Sequence, residues 1–322
     1  MIGIHHISYA CGSERKSSDQ LATEQGFSSE FLKEKLGIHS RPIVAEDETT
    51  AVLAVRAARK LLQETGTPAQ EIDALAVVTQ TPDHLIPHVS ALLHAALGFR
   101  KDVAAFDIGL GCSGFVYGLG LLLPAMSAHG WKKAILITAD TYSRLIDPKD
   151  RATAPLFGDA AASSLLCDNP RFTVGRTTFG TAGDKHAALT ALGTGAAPVE
   201  RRPLFMDGRE IFNFTMEQVL SDIRRCLEIN QLASQDIDLW VFHQANRYIL
   251  EAMGAALKIP LDRLVVDVAE FGNTTSSSIP IALARLDATR LRSARRILIA
   301  GFGVGLSWAS TILTSYEGQA KQ

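Results

Sequence analysis

Short runs of consecutive apolar residues alternate along this chain with longer stretches whose apolar residues fall at helical spacing, and this alternation sets the expected architecture. Residues 2–12 (IGIHHISYACG) read as a first strand that takes in His5 and His6, and residues 17–36 as largely helical and solvated, closed by Gly37 and Ile38. Over 46–64, Val52, Val55, Ala58, Leu61 and Leu62 predict a helix that stops before Gly66-Thr67-Pro68. Residues 72–78 then form a buried strand, with a helix around 90–97 and a strand over 103–108. An almost wholly apolar helix over 115–126 follows, with Pro124 near its end, and then a strand over 134–137. Strands separated by helices predict an α/β architecture with parallel pairing.

The second half repeats this order. IDALAVV (72–78) is matched by IDLWVFH (237–243), AFDI (105–108) by VVDV (265–268), and KAILI (133–137) by RILI (296–299). The offsets all fall between about 160 and 165 residues, the mark of an internal repeat. Any one match could arise by chance; three in the same order at nearly constant offset point to two copies of one unit, residues 1–170 and 171–322. Lys132-Lys133 and Arg295-Arg296 open matching strands and are expected to face solvent.

Bulk properties narrow the partners. The 322 residues are 47% hydrophobic and 20% charged, and the formal net charge of −2 gives no basic footprint for nucleic acid. The first residues hold no basic region before an apolar run, so no secretory signal is expected. The apolar stretch after Cys112 is about a dozen residues, too short for a bilayer. Cys11, Cys112, Cys167 and Cys226 are widely spaced, as expected of free thiols in a reducing, cytoplasmic setting.

Candidate chemistry gathers at strand ends. Gly111-Cys112-Ser113-Gly114 lies between a strand and an apolar helix, so Cys112 is expected at the helix start, where unpaired N–H groups favour a thiolate. On its own the stretch reads more readily as a small apolar residue filling a tight contact. His243 ends its strand, Asn273 follows the segment matching the Cys112 strand, and Gly303-Val304-Gly305 follows the last one. Singly these are a satisfied histidine, a turn residue and a tight bend; placed at repeat-related strand ends, where ligands of open α/β sheets sit, they converge. His84 and His88 are separated by Pro87 and have no third partner, so no metal is assigned. Residues 180–198, rich in Gly, Ala and Thr, read as a mobile surface loop or lid.

The runs DIGLGCSGF (107–115), HQAN (243–246), FGNTTSSSIP (271–280) and GFGVGLSW (301–308) together resemble the thiolase-fold condensing enzymes, and among them the β-ketoacyl-acyl-carrier-protein synthase III group. The resemblance covers nearly the whole chain. It implies a thiolase-like fold of two pseudo-twofold-related α/β halves forming an αβαβα core. It also implies a homodimer that takes coenzyme A thioesters and acyl carrier protein as substrates, with no resident cofactor. Cys112 would accept an acyl group, and a malonyl thioester would then condense on it with loss of carbon dioxide. His243 and Asn273 would serve the enolate, and the N–H groups of Cys112 and Val304 the oxyanion. Arg151, Gly208, Phe212 and Asn246 match coenzyme A contacts of the group. Phe31 and Lys35 stand where the group has Trp and Arg, and Lys35 lacks the planar surface of an arginine. Arg247 sits one place before the expected arginine, where Tyr248 stands. Ala255-Ala256 replaces a lysine pair that meets carrier proteins, leaving Lys258. Ile86, in place of a gating Phe, is expected in the partner's acyl pocket. These departures suggest a specialised pathway. Rival readings are acyl transfer without decarboxylation, and a non-catalytic subunit of a heterodimer.

Overall fold

The computed structural model describes residues 1–192, 200 and 202–316. The first half supplies β1 (Gly3–Cys11), β2 (Glu14–Ser17), α1 (Ser18–Gln25), β3 (Ser40–Ile43), α2 (Thr50–Thr65) and β4 (Ala74–Val78). It continues with α3 (Val89–Leu97), β5 (Ala104–Ile108), α4 (Gly114–His129), β6 (Lys133–Asp140) and β7 (Ala160–Cys167). The second half supplies β8 (Phe172–Val174), β9 (Thr178–Thr181), β10 (Leu189–Leu192), β11 (Arg202–Met206), α5 (Gly208–Phe214) and α6 (Leu220–Ile229). It ends with β12 (Leu239–Phe242), α7 (Arg247–Ala256), α8 (Ser278–Arg285), α9 (Ala288–Ser293), β13 (Arg296–Gly303) and β14 (Ser307–Ser315).

Among the described residues the main sheet runs β12-β13-β14-β8-β1-β7-β6-β4-β5, with β9 on β14. Read outward from the β1–β8 pair, where Gly3 faces Thr173 and Ile4 faces Phe172, the order is β1-β7-β6-β4 on one side and β8-β14-β13-β12 on the other. Each half is mixed rather than all parallel. β4 runs parallel to β5 and β6, and β12 to β13, but β7 and β14 run antiparallel to β6 and β13. The three residues between β13 and β14 are too few for a crossover, so that pair must reverse.

Alternation along the strands builds five layers. Ala74, Ala76 and Val78 of β4 and Leu239 and Val241 of β12 face one shared core that holds Phe115, Val116 and Leu119 of α4 and Ile279 and Ala282 of α8. Leu75 and Val77 face the opposite way, onto α2 and α3. Trp240 and Phe242 face α6 and α7. Helices α4 and α8 are thus sandwiched between the two strand layers, which explains why α4 is apolar almost all round. The helix runs through Pro124 to His129, further than expected.

The halves share a hydrogen-bonding device. Asp73 Oδ2 accepts the N–H groups of Lys132 (2.7 Å) and Lys133 (3.2 Å), and Asp238 Oδ2 accepts those of Arg295 and Arg296 (2.8 Å each). The repeat breaks at 265–268, which form no strand: only an isolated bridge links Trp240 to Leu264. The Gln244 side chain takes the missing neighbour's place, accepting from the Asp267 N–H (2.6 Å) and donating to the Val265 carbonyl (3.2 Å). An amide side chain offers the same donor and acceptor as a peptide unit, so the backbone is satisfied without a ladder.

Three further expectations change. Helix α2 begins at Thr50, capped by Thr49, and buries Ala51, Leu53, Ala54, Ala57, Ala58 and Leu61, whereas Val52 lies outside. Alanines let the helix sit close on β1 and β7, so small residues rather than bulk choose its inner face. Helical order over 17–36 is broken after α1 by Gly26 in the left-handed region (φ 66°) and resumes as one π-helical turn, Phe31–Lys35. Residues 180–192 are not one loose loop: they end β9, make a 3₁₀ turn (Gly183–Ala188) and form β10, which pairs with β11. The rest of that supposed lid, 193–198, lies outside the described residues.

Candidate active site

Cys112 sits in the turn from β5 into α4, two residues before the helix begins, and is 4% exposed. The backbone N–H groups of Cys112 and Val304 both face its sulfur and favour the thiolate. They are outweighed. Burial, and then the negative charge of Asp140, push the thiol up to about 12, so the resting group is a thiol and not the thiolate expected from its place near a helix start. Val304 is brought there by the β13–β14 turn, where Gly303 adopts φ 154° and a Cβ would stand 3.1 Å from Cys112 Sγ. A side chain at 303 would therefore meet both an unfavourable backbone and the nucleophile.

His243 follows β12 directly, its N–H bonded to the Ala300 carbonyl of β13 (2.8 Å). Its ring meets Phe302 edge-on at 5.5 Å between centroids. Nδ1 lies 2.8 Å from Ser278 Oγ, and that oxygen also accepts the Gln244 N–H at 3.2 Å. With the serine hydroxyl donating to Nδ1, the ring proton lies on Nε2, the tautomer that keeps a donor for the cavity. Burial lowers the imidazole to about 3, against the opposing pull of a Thr275 backbone hydrogen bond. His243 is thus a neutral donor at physiological pH. Two-dimensional ¹H–¹⁵N NMR of the imidazoles should show His243 as the Nε2–H tautomer with no protonation step near 6.5. A titration at the ordinary histidine value would overturn both assignments. A base whose folded pKa is lowered costs stability as pH falls from 6.5 towards 3, so His243 destabilises the fold over that acidic window.

Asn273 is fixed through its main chain. Its N–H donates to the Leu156 carbonyl (2.8 Å) and its carbonyl accepts from Gly158 (3.0 Å). Its Oδ1 accepts the Thr275 N–H at 2.9 Å, which leaves the amide nitrogen as the outward group. Thr275 holds a left-handed backbone (φ 50°), unusual for a β-branched residue. Its hydroxyl donates to Asp140 Oδ2 at 2.6 Å, and Ser276 donates to the same oxygen at 2.9 Å. Asp140 ends β6 in the other half, and burial raises its carboxyl to about 6 against those hydrogen bonds. One buried carboxyl thus ties the strained loop beside Asn273 to the strand layer next to Cys112.

Cys112, His243 and Asn273 line one cavity of about 340 Å³. Gly208, Phe212 and Asn246 line it too, and Asn246 also caps α7 by accepting the Ile249 N–H (2.9 Å). Tyr248 stacks on Phe212 at 5.6 Å between centroids. The other sequence candidates lie off its walls. Phe31 is 45% exposed, Lys35 is exposed, and Arg151 lies over the Phe27 ring at 4.8 Å. Arg247 packs beside Gly37, and Ile86 stands 89% exposed. A larger cleft of about 840 Å³, lined by Glu46, Glu48, Thr81 and Asp83 among others, holds none of the three. Sequence reasoning missed Ser278, Phe302, Asp140 and Tyr142. The first two stood inside runs already singled out, whereas Asp140 and Tyr142 carried no local signal. No cluster of metal-binding side chains occurs among the described residues.

Sequence comparison matches residues 106–183 to the family described as 3-oxoacyl-[acyl-carrier-protein] synthase III and 227–315 to its C-terminal counterpart. A relative named β-ketoacyl-[acyl-carrier-protein] synthase III from Streptococcus sanguinis is 36% identical over 308 residues, covering 92% of this chain and 94% of its own. The synthase III structure from Thermus thermophilus superposes with a TM-score of 0.91 at 31% identity, covering 98% of this chain and all of that one. The priming β-ketosynthase of the R1128 polyketide pathway gives a TM-score of 0.88 at 28% identity, covering 98% of this chain and 97% of its own. These likenesses extend over both halves, as does the layered thiolase-type fold that positions the thiol, imidazole and carboxamide on one cavity. The chain belongs to the 3-oxoacyl-[acyl-carrier-protein] synthase III family.

Proposed function

We propose that this chain is a condensing acyltransferase that joins an acyl group, carried as a thioester on Cys112, to the carbanion left when a malonyl thioester loses carbon dioxide. The observation that carries this reading is the grouping of three different functions on one narrow cavity: a thiol faced by two N–H donors, a neutral imidazole and an outward carboxamide.

In the first half-reaction Cys112 Sγ attacks the carbonyl of an acyl thioester. The oxyanion lies against the N–H groups of Cys112 and Val304, and the thiol proton leaves with the departing carrier thiol. In the second, a malonyl thioester binds with its carbonyl oxygen towards His243 Nε2–H and Asn273 Nδ2–H. Carbon dioxide departs, the enolate oxygen is held by these two donors, and its carbon attacks the acyl carbonyl. Collapse of the adduct releases a β-ketoacyl thioester, and the Cys112 sulfur takes up one proton. Because His243 is neutral, it stabilises the enolate by hydrogen bonding without first losing a proton.

The pantetheine arm of coenzyme A or of a carrier protein fits the cavity past Gly208, Phe212 and Asn246, with Phe31, Lys35, Arg151 and Arg247 left to meet the nucleotide outside. Exposed Leu85 and Ile86 (70% and 89%) favour a homodimer in which this loop lies against a second copy. The reading places the enzyme in the cytoplasm beside its acyl carrier protein, and no helix among the described residues is long and apolar enough to cross a membrane.

Intact-protein mass spectrometry with a panel of acyl-coenzyme A thioesters, followed by malonyl-carrier protein, tests the reading. The expected result is an adduct on Cys112 that is discharged as a β-ketoacyl product with one carbon dioxide per turnover. Discharge without carbon dioxide would overturn it.

A further inference from the structure

A second cavity of about 290 Å³ adjoins the catalytic one and shares Tyr142 and Leu189 with it. Val304 and Gly305 form part of its wall. An acyl carbonyl with its oxygen on the Cys112 and Val304 N–H groups has this space beside it, on the Val304 side. Leu145, Leu189 and Leu204 make it apolar on one side, but Gln80 and Tyr142 face it together. Tyr142 is 3% exposed, and its hydroxyl donates to Gln80 Oε1 at 2.6 Å. The amide stands right behind the nucleophile turn: a Cβ on Gly111 would lie 2.4 Å from Gln80 Oε1.

This pair is left with unused capacity. Among the described residues Gln80 Nε2 donates to no protein group and keeps access to solvent, and the phenol oxygen accepts from no protein group. Turning the amide over exchanges the roles but not the count: the phenol hydrogen then becomes the free donor and Oε1 the free acceptor. Either way one donor and one acceptor point at the acyl space. A hydroxyl group, which donates once and accepts besides, completes both. A plain hydrocarbon chain that displaces water from the pair offers neither a partner in exchange, the situation in which a missing hydroxyl is costly. Burial, reinforced by the charge of Asp140, holds the Tyr142 phenol far above its ordinary ionisation range, so it remains a neutral partner.

We infer that the acyl group loaded on Cys112 is a short hydroxyacyl group, selected by the Gln80–Tyr142 pair; this rests on the acyl-transfer reading above. The test is the rate at which Cys112 is acylated, followed by intact-protein mass spectrometry. Butyryl, 3-hydroxybutyryl and 4-hydroxybutyryl thioesters are compared, each presented on coenzyme A and on acyl carrier protein. One hydroxyacyl donor should load at least about tenfold faster than butyryl. That ratio should collapse towards one in Gln80→Leu and, independently, in Tyr142→Phe. Butyryl loading as fast as both hydroxy isomers overturns the inference while leaving acyl transfer intact, as does a ratio unmoved in both variants. Absence of an adduct from every donor overturns the acyl-transfer reading, and the inference with it.

Discussion

Cys112→Ala should abolish acyl loading outright, leaving no adduct with any thioester that modifies the native chain, and should stop condensation. No other thiol can take over: Cys11 and Cys226 are held up to about 11 and about 12 by burial, and neither they nor Cys167 lines the catalytic cavity. The two half-reactions should separate. The donors for the malonyl thioester, His243 and Asn273, are untouched by the change, so slow decarboxylation of malonyl-carrier protein should persist while no β-ketoacyl product forms. Losing one sulfur beside Gly303 removes little packing, and the circular dichroism spectrum should be unchanged. Persistent acylation of the variant, measured by intact mass, would sink the nucleophile assignment.

Asn273→Asp should act on the other half-reaction. The replacement keeps the anchor, since a carboxylate oxygen accepts the Thr275 N–H as well as the amide oxygen does. What changes is the outward atom: a donor becomes a charged acceptor aimed at the developing enolate. Removing one such donor costs about a hundredfold to a thousandfold, and like-charge repulsion adds to this. Decarboxylation and condensation should therefore fall by about a thousandfold or more, while acyl loading of Cys112 changes by less than about tenfold. Equal losses in both steps, measured as adduct formation and carbon dioxide release, would place Asn273 in a general structural role instead.

Much of the layout was legible because it is written in local pattern. The strand, turn and apolar helix around Cys112 and the β12–His243 strand end follow from runs of residues whose period and breaks are unambiguous. The internal repeat then placed distant strand ends together. What escaped depended on contacts across the fold. The matching strand at 265–268 has the right apolar residues, but the Gln244 side chain pre-empts its pairing. The charge state of Cys112 departs from expectation because a helix start is local, whereas the burial that chiefly raises the thiol belongs to the whole fold and Asp140, which adds to it, lies 28 residues further on in another strand. Asp140 and Tyr142 have no motif of their own; their roles come from hydroxyls and amides supplied by β4's end and by the loop before α8. Of the apolar residues expected on α2 only Val52 lies outside, since close approach favoured the alanines beside it.

The order in which the site's parts occur along the chain has a consequence for its synthesis. A ribosome releases the thiol first, then the imidazole, then the carboxamide, and last of all the β13–β14 turn that carries the Val304 N–H. Until β13 and β14 pair, the sulfur lacks one of its two oxyanion donors, and the acyl space lacks the wall that Val304 and Gly305 provide. A nascent or truncated product can hold every reactive side chain and still be unable to take up an acyl group. Acyl loading therefore waits on the pairing of β13 with β14, long after the thiol itself has been made.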